Sequence, residues 1–381
     1  MVWVTDGQFC TIESVTTLTA VIGHTGAVAR LAREADADTL THALLFTGPE
    51  GVGKTTAAVA LAAQIVDAAR WPGGITAHPD LWLEDSDAEN LSIQRVRAGG
   101  EQGPTLQDFL ALRTYAGGRR VAIMARADRL TEPAADCLLK TIEEPPPRTH
   151  LMLCAAHPER LPETVLSRCE VVVFGPVPSA QITRWLGEQH GVEAERAAGA
   201  AALAAGCPGR ALRLAAEPGA LEAELEALDR FLATGGAGTA GALRTAAAVA
   251  PGAGAEGRER ALMTLGAWAT FVRDAACFAV AAPELAVWSA YRPALERWAE
   301  DLAAERIVAI LARILAATEA VATYAQPRLA FEALLLDVFA GSGGPPPVPA
   351  RPGAGASGAA AAAGRPRRAP SARRGRATGG G

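Results

Sequence analysis

With 381 residues, half of them hydrophobic, the chain carries enough apolar side chains for two or three packed cores, which excludes a protein that is disordered throughout. Its formal charge of −5 is unevenly spread: seven Arg and no acid after residue 340 leave −12 on the rest, so charge alone excludes a general nucleic-acid binder. Six scattered cysteines, at 10, 137, 154, 169, 207 and 277, show no paired metal-ligand spacing, and no apolar run approaches the ~20 residues that span a bilayer, which together with the lack of a secretory leader reads as a soluble cytoplasmic protein with no membrane association.

Residues 1–20 carry little pattern. Val21-Ile22-Gly23-His24 leads into a helix over 27–35, and an apolar strand over 43–46 follows. Gly48 to Thr56 forms a loop, and a helix is expected over 57–66. Beyond a Gly/Pro break at 72–74 come His78-Pro79-Asp80, a short apolar run at 81–83, a helix from about 106 to 115, and a strand over 121–124. A helix over 132–143 is closed by Pro145, Pro146 and Pro147, which cannot continue it. Strands over 151–155 and 171–174 complete the set. Apolar strands alternating with helices imply an α/β domain with a parallel sheet covered on both faces. After Pro176 only helices are expected: short ones over 180–188, 193–205 and 209–216, then a helical region over 221–339 broken by Gly-rich turns at 235–241 and 252–257. Residues 341–381 are Gly, Pro, Ala, Ser and Arg, and are expected to be a disordered basic tail.

Gly48-Pro49-Glu50-Gly51-Val52-Gly53-Lys54-Thr55-Thr56 matches the phosphate-loop pattern of Gly, four residues, then Gly-Lys-Thr, in the strand–loop–helix context that pattern requires. Gly48, Gly51 and Gly53 permit a tight turn whose N–H groups face phosphate oxygens, with the helix dipole behind them. Lys54 is expected to reach the outer phosphates of ATP or ADP, and the Thr55 hydroxyl to hold a magnesium ion. The parts that hydrolysis needs are missing. The strand over 121–124 runs into Ala125-Arg126-Ala127-Asp128, where an ATPase needs acids, and the next strand ends in Cys154-Ala155-Ala156-His157, where it needs a group to orient water. Asp128 reads as a cap on the following turn or as a surrogate metal ligand, and His157 as a turn residue. Nucleotide binding without turnover follows. Arg168, in Leu166-Ser167-Arg168-Cys169, reads on those residues alone as a surface arginine in an ion pair or as a finger acting on a neighbour's nucleotide.

Cys137 to Pro147 (Cys-Leu-Leu-Lys-Thr-Ile-Glu-Glu-Pro-Pro-Pro), His157-Pro158-Glu159-Arg160-Leu161-Pro162, Ser167-Arg168-Cys169 and the closing Gln326 to Leu336, taken with the phosphate loop, resemble the AAA+ clamp-loader family. The resemblance covers about residues 20–340. It implies a P-loop α/β domain over 1–178, a helical lid over 179–220 and a helical collar for oligomerisation over 221–340, followed by the tail. Ala125, Arg126 and Ala156 stand where motor subunits carry their acids and their sensor, so the resemblance is to the stationary rather than the motor members. It implies a non-hydrolysing stator that helps load a sliding clamp onto primed DNA, with gamma/tau motor subunits and a delta subunit as partners. Arg168 then takes the finger role in trans. Arg210, in Gly209-Arg210-Ala211, matches a nucleotide-sensing lid arginine or is a simple helix-start arginine. The family's four-cysteine zinc module has no counterpart between Cys10 and Cys137, so no zinc is expected. Two other functions compete. One is an active motor with Asp128 standing in for the lost acid. The other is a weak nucleic-acid module built on Arg365, Arg367, Arg368, Arg373, Arg374 and Arg376, for which the plainer reading is a solvated terminus.

Overall fold

The computed structural model describes residues 18, 21–71, 74–86, 88, 90–99, 104–115, 118–250, 252, 254–288, 291–323, 325–339 and 345. The expectations for the unpatterned start (apart from residue 18) and for the basic tail (apart from residue 345) lie outside them.

Among the described residues five strands form one parallel sheet: β1 (Ala43–Thr47), β2 (Leu81–Glu84), β3 (Arg120–Met124), β4 (Thr149–Ala155) and β5 (Glu170–Val173), in the order β2-β3-β4-β1-β5. The three central strands are buried at every position, because helices cover both faces and alternate side chains enter different cores. Leu44, Phe46, Val121, Ile123, Met152 and Cys154 point to one face, where α1 (Thr25–Asp36) and α2 (Lys54–Ile65) supply Leu31, Val59 and Leu61. Leu45, Ala122, Met124, Leu151 and Leu153 point to the other, against Phe109 of α4 (Leu106–Ala111) and Leu138 and Ile142 of α5 (Glu132–Glu143). Between β2 and α4 lies the single-turn α3 (Ile93–Val96), and before β5 lies α6 (Glu163–Leu166).

Of the element boundaries that differ from expectation, two in the sheet-bearing segment have identifiable reasons. The helix after the loop starts at Lys54 rather than 57, since Gly53 in a left-handed conformation is already its N-cap. The helix expected to reach 115 ends at Ala111, where buried Arg120 takes the carbonyls of Phe109 (3.1 Å), Leu110 (2.8 Å) and Leu112 that a longer helix would use.

The chain divides into two compact units, Met1–Glu224 and Leu225–Gly381. The first includes α7 (Ser179–His190), α8 (Ala194–Leu203) and α9 (Pro208–Ala216), which pack on one another. α10 (Ala220–Ala233) straddles the division. The second contains α11 (Gly238–Val249), α12 (Gly254–Ala279), α13 (Arg292–Asp301), α14 (Ala304–Thr323) and α15 (Pro327–Phe339). Because α11 begins at Gly238, the expected glycine turn at 235–241 is half helix. The second core is aromatic: Phe231 stacks on Trp268 with ring centres 4.5 Å apart, and Phe339, Phe331, Trp298 and Phe271 close around the pair. Among the described residues no helix is long and apolar enough to cross a membrane.

Candidate functional site

The loop stands at the carboxyl end of β1, between β4 and β5, where parallel α/β sheets bind ligands. Lys54 is 7% exposed, and its ammonium donates to the carbonyls of Gly48 (2.7 Å) and Pro49 (2.9 Å). Burial pulls its pKa below the ordinary lysine value, opposed by the nearby thiols and by Asp128 and Glu50. Gly53, with φ +111°, ends the loop, and a Cβ there would meet nothing within 4 Å. The position therefore opens onto free space at the N-terminus of α2. An open cradle of backbone, a helix start and a buried ammonium fit a nucleotide polyphosphate. Thr56 lies half-buried in the first turn of α2.

Helix α9 packs against this loop. The Gly209 N–H donates to the Gly51 carbonyl at 2.9 Å. Gly51 has φ +78°, and a Cβ on it would sit 3.2 Å from the Arg210 nitrogen. Arg210 is thus brought to the loop by its backbone, and burial pulls its guanidinium below the ordinary value, with Glu224 and Cys207 opposing. Two further residues join the site that sequence reasoning did not assign to it. His24 lies edge-on to Phe174, ring centres 4.7 Å apart, and Cys207, the N-cap of α9, lies within electrostatic reach of Lys54. The His24 stretch was visible only as the approach to α1; nothing local to Cys207 signals its position.

Burial pushes the thiol of Cys154, on β4, up to about 12, opposed by Lys54 and Thr55. Beyond β3, Ala125 is buried and the Arg126 guanidinium turns toward the next strand end, donating to the Ser86 carbonyl (2.8 Å) and lying 3.7 Å from Asp85. Asp128 does not cap the turn after it, as the sequence suggested. Its Oδ2 accepts the backbone N–H groups of Ala156 (3.1 Å) and His157 (2.9 Å), tying the loop after β3 to the loop after β4. The reason is tertiary: β3 and β4 are neighbours in the sheet, so both strand ends arrive together. His157 is exposed, starts a 3-10 turn and hydrogen-bonds Glu159 at 3.0 Å.

Arg168 lies at the opposite end of the sheet from the loop. β5 runs parallel to β1 from Glu170, and Phe174 reaches the level of Thr47, so the strand separates the two by roughly 13 Å. The half-exposed guanidinium donates to Glu143 at the end of α5 (2.7 Å) and to the Thr164 carbonyl (3.0 Å). A side chain so placed faces outward from its own nucleotide loop.

The family model described as DNA polymerase III, delta subunit, matches residues 23–178, the segment that holds the sheet, the loop and Arg168. Over this segment the chain is similar to bacterial clamp-loader subunits. The chain is 32% identical over 163 residues to the DNA polymerase III subunit delta' of Bacillus subtilis, covering 40% of this chain and 47% of that protein. It is 34% identical over 139 residues to the subunit of the same name from Escherichia coli, covering 36% of this chain and 40% of that protein. A replication factor C small subunit of Natronomonas pharaonis is 29% identical over 180 residues, covering 46% of this chain and 51% of that protein. The chain therefore spans about half the length of the curated relatives it matches.

Proposed function

We propose that this chain is the stationary, non-hydrolysing subunit of a bacterial DNA polymerase III clamp loader, of the delta prime kind. It holds a nucleoside polyphosphate in its loop without turning it over, and it presents Arg168 to the nucleotide of an adjacent gamma/tau-type motor subunit. Through the assembled complex, with a delta subunit and the motors as partners, it helps place a sliding clamp on primed DNA.

The observation that carries this reading is the pairing of an intact phosphate loop with a β3 end that reads Ala125-Arg126, its guanidinium turned to Asp85 and Ser86. Phosphoryl transfer to water needs a base or water-orienting group and charge compensation at the γ-phosphate, and neither strand end beside the loop offers one. Arg168, directed away from its own loop, supports action in trans, because a planar guanidinium stabilises charge spread over a transferring phosphoryl group.

The test is turnover by the purified full chain, followed with ATP in the same samples in which binding is titrated. The reading expects ADP production no greater than that of the Lys54→Ala chain. Turnover that disappears on changing Lys54 contradicts it and makes the chain a motor.

A further inference from the structure

We propose that the phosphate loop takes its nucleoside polyphosphate without a divalent cation. This rests on the nucleotide-holding part of the preceding reading and goes beyond it, since a site can lack turnover and still require magnesium.

Magnesium in such a loop is held by the hydroxyl after the lysine and by a carboxylate from a neighbouring strand end, in near-octahedral geometry at ~2.1 Å. The carboxylates at the neighbouring strand ends are committed elsewhere. Asp128 spends Oδ2 on the Ala156 and His157 amides. Asp85 faces Arg126, and Glu84, almost fully buried, is bound by Arg95. Glu50, within the loop itself, is exposed. Among the described residues no group of three or more His, Cys, Asp and Glu side chains gathers where it could hold a metal ion.

Charge points the same way. With Lys54 buried in the loop and the N-terminus of α2 behind it, the protein itself supplies positive potential for an uncomplexed polyphosphate. Magnesium in solution then competes with the site for the polyphosphate. Apparent affinity should stay level or fall as the ion is added.

The experiment titrates ADP and ATP into the full chain by calorimetry, once with excess magnesium and once with EDTA. The proposal expects a dissociation constant in EDTA within about threefold of the magnesium value, or lower. A weakening of tenfold or more in EDTA overturns it. Absence of binding in both conditions also overturns it, yet leaves the non-hydrolysing reading to its own turnover test. Manganese with the ADP-saturated wild-type chain gives a second readout. The paramagnetic resonance spectrum should match manganese–ADP in solution, and a stoichiometric protein-bound signal contradicts the proposal.

Discussion

The Gly209 N–H of α9 meets the Gly51 carbonyl of the phosphate loop at 2.9 Å, with little room for a Cβ on either residue. A Cβ on Gly209 would lie 3.2 Å from the Gly51 oxygen, and one on Gly51 would meet the Arg210 nitrogen at the same distance from a left-handed backbone. α9 is therefore registered on the loop through a main-chain contact.

Replacing Gly51 with Ala forces a side chain into the left-handed region, which costs about 1–2 kcal/mol before the Arg210 contact is counted. Gly51→Ala should lower the denaturation midpoint and weaken ADP binding by at least tenfold. Gly209→Ala differs in sign: it gains up to ~1 kcal/mol of helix propensity, which offsets the crowding. Its stability should stay nearly level while nucleotide affinity falls. Chemical denaturation and calorimetry on both variants check the contrast, and equal behaviour would contradict it.

Acid should unfold the first unit early. Burial holds His24, His78, His150 and His190 below the ordinary histidine value of 6.5. Their folded pKa values lie below the unfolded one, so under pH 6.5 the unfolded chain binds more protons and stability falls with pH. The contribution is full above 6.5 and is lost as pH descends through that value toward the folded ones. His150, with Nδ1 3.1 Å from the Thr41 carbonyl, is buried within β4. Denaturation midpoints measured from pH 7.5 to 5 should fall less steeply for His150→Asn than for the parent chain; identical slopes would exclude His150 as a contributor.

Asp128 is assigned a structural carboxylate. Removing it in Asp128→Ala takes the charged acceptor from the Ala156 and His157 amides and should cost about 1.5–3 kcal/mol, the range for hydrogen bonds to a charged acceptor. Asp128→Asn keeps an accepting oxygen and should recover most of that. Urea titration of both variants decides; a silent Asp128→Ala would reopen a chemical role for the residue.

The sheet, the loop and most helix positions were legible because each rests on local signals. α5 was readable to both ends, since Thr131 and Pro133 mark its start and three prolines mark its stop. Long-range relationships were not legible. The early end of α4 depends on Arg120, the placement of Asp128 depends on the adjacency of β3 and β4, and the Gly209–Gly51 contact joins residues 158 positions apart. The sequence left Arg168 open between a surface ion pair and a finger in trans, and its partner Glu143, 25 residues earlier, became visible only once α5 and α6 were placed together.

That ion pair contributes little to folding. Arg168 and Glu143 side chains are 41% and 49% exposed, so breaking the pair should change stability by less than about 1 kcal/mol. Arg168→Ala and Glu143→Gln chains should melt within a degree or two of the parent. A larger loss would make Arg168 a structural residue first.

Because the variant should fold normally, the most direct measurement is DNA-stimulated ATP hydrolysis by a clamp loader reconstituted with this chain carrying Arg168→Ala. An arginine finger is worth about 10³–10⁵ in turnover at the site it serves, so the account predicts that hydrolysis drops to what the remaining sites sustain. Arg168→Lys should not restore it, since the charge is kept but the planar fork is lost. Hydrolysis unchanged from the parent complex would contradict the account, leaving Arg168 as no more than the surface partner of Glu143.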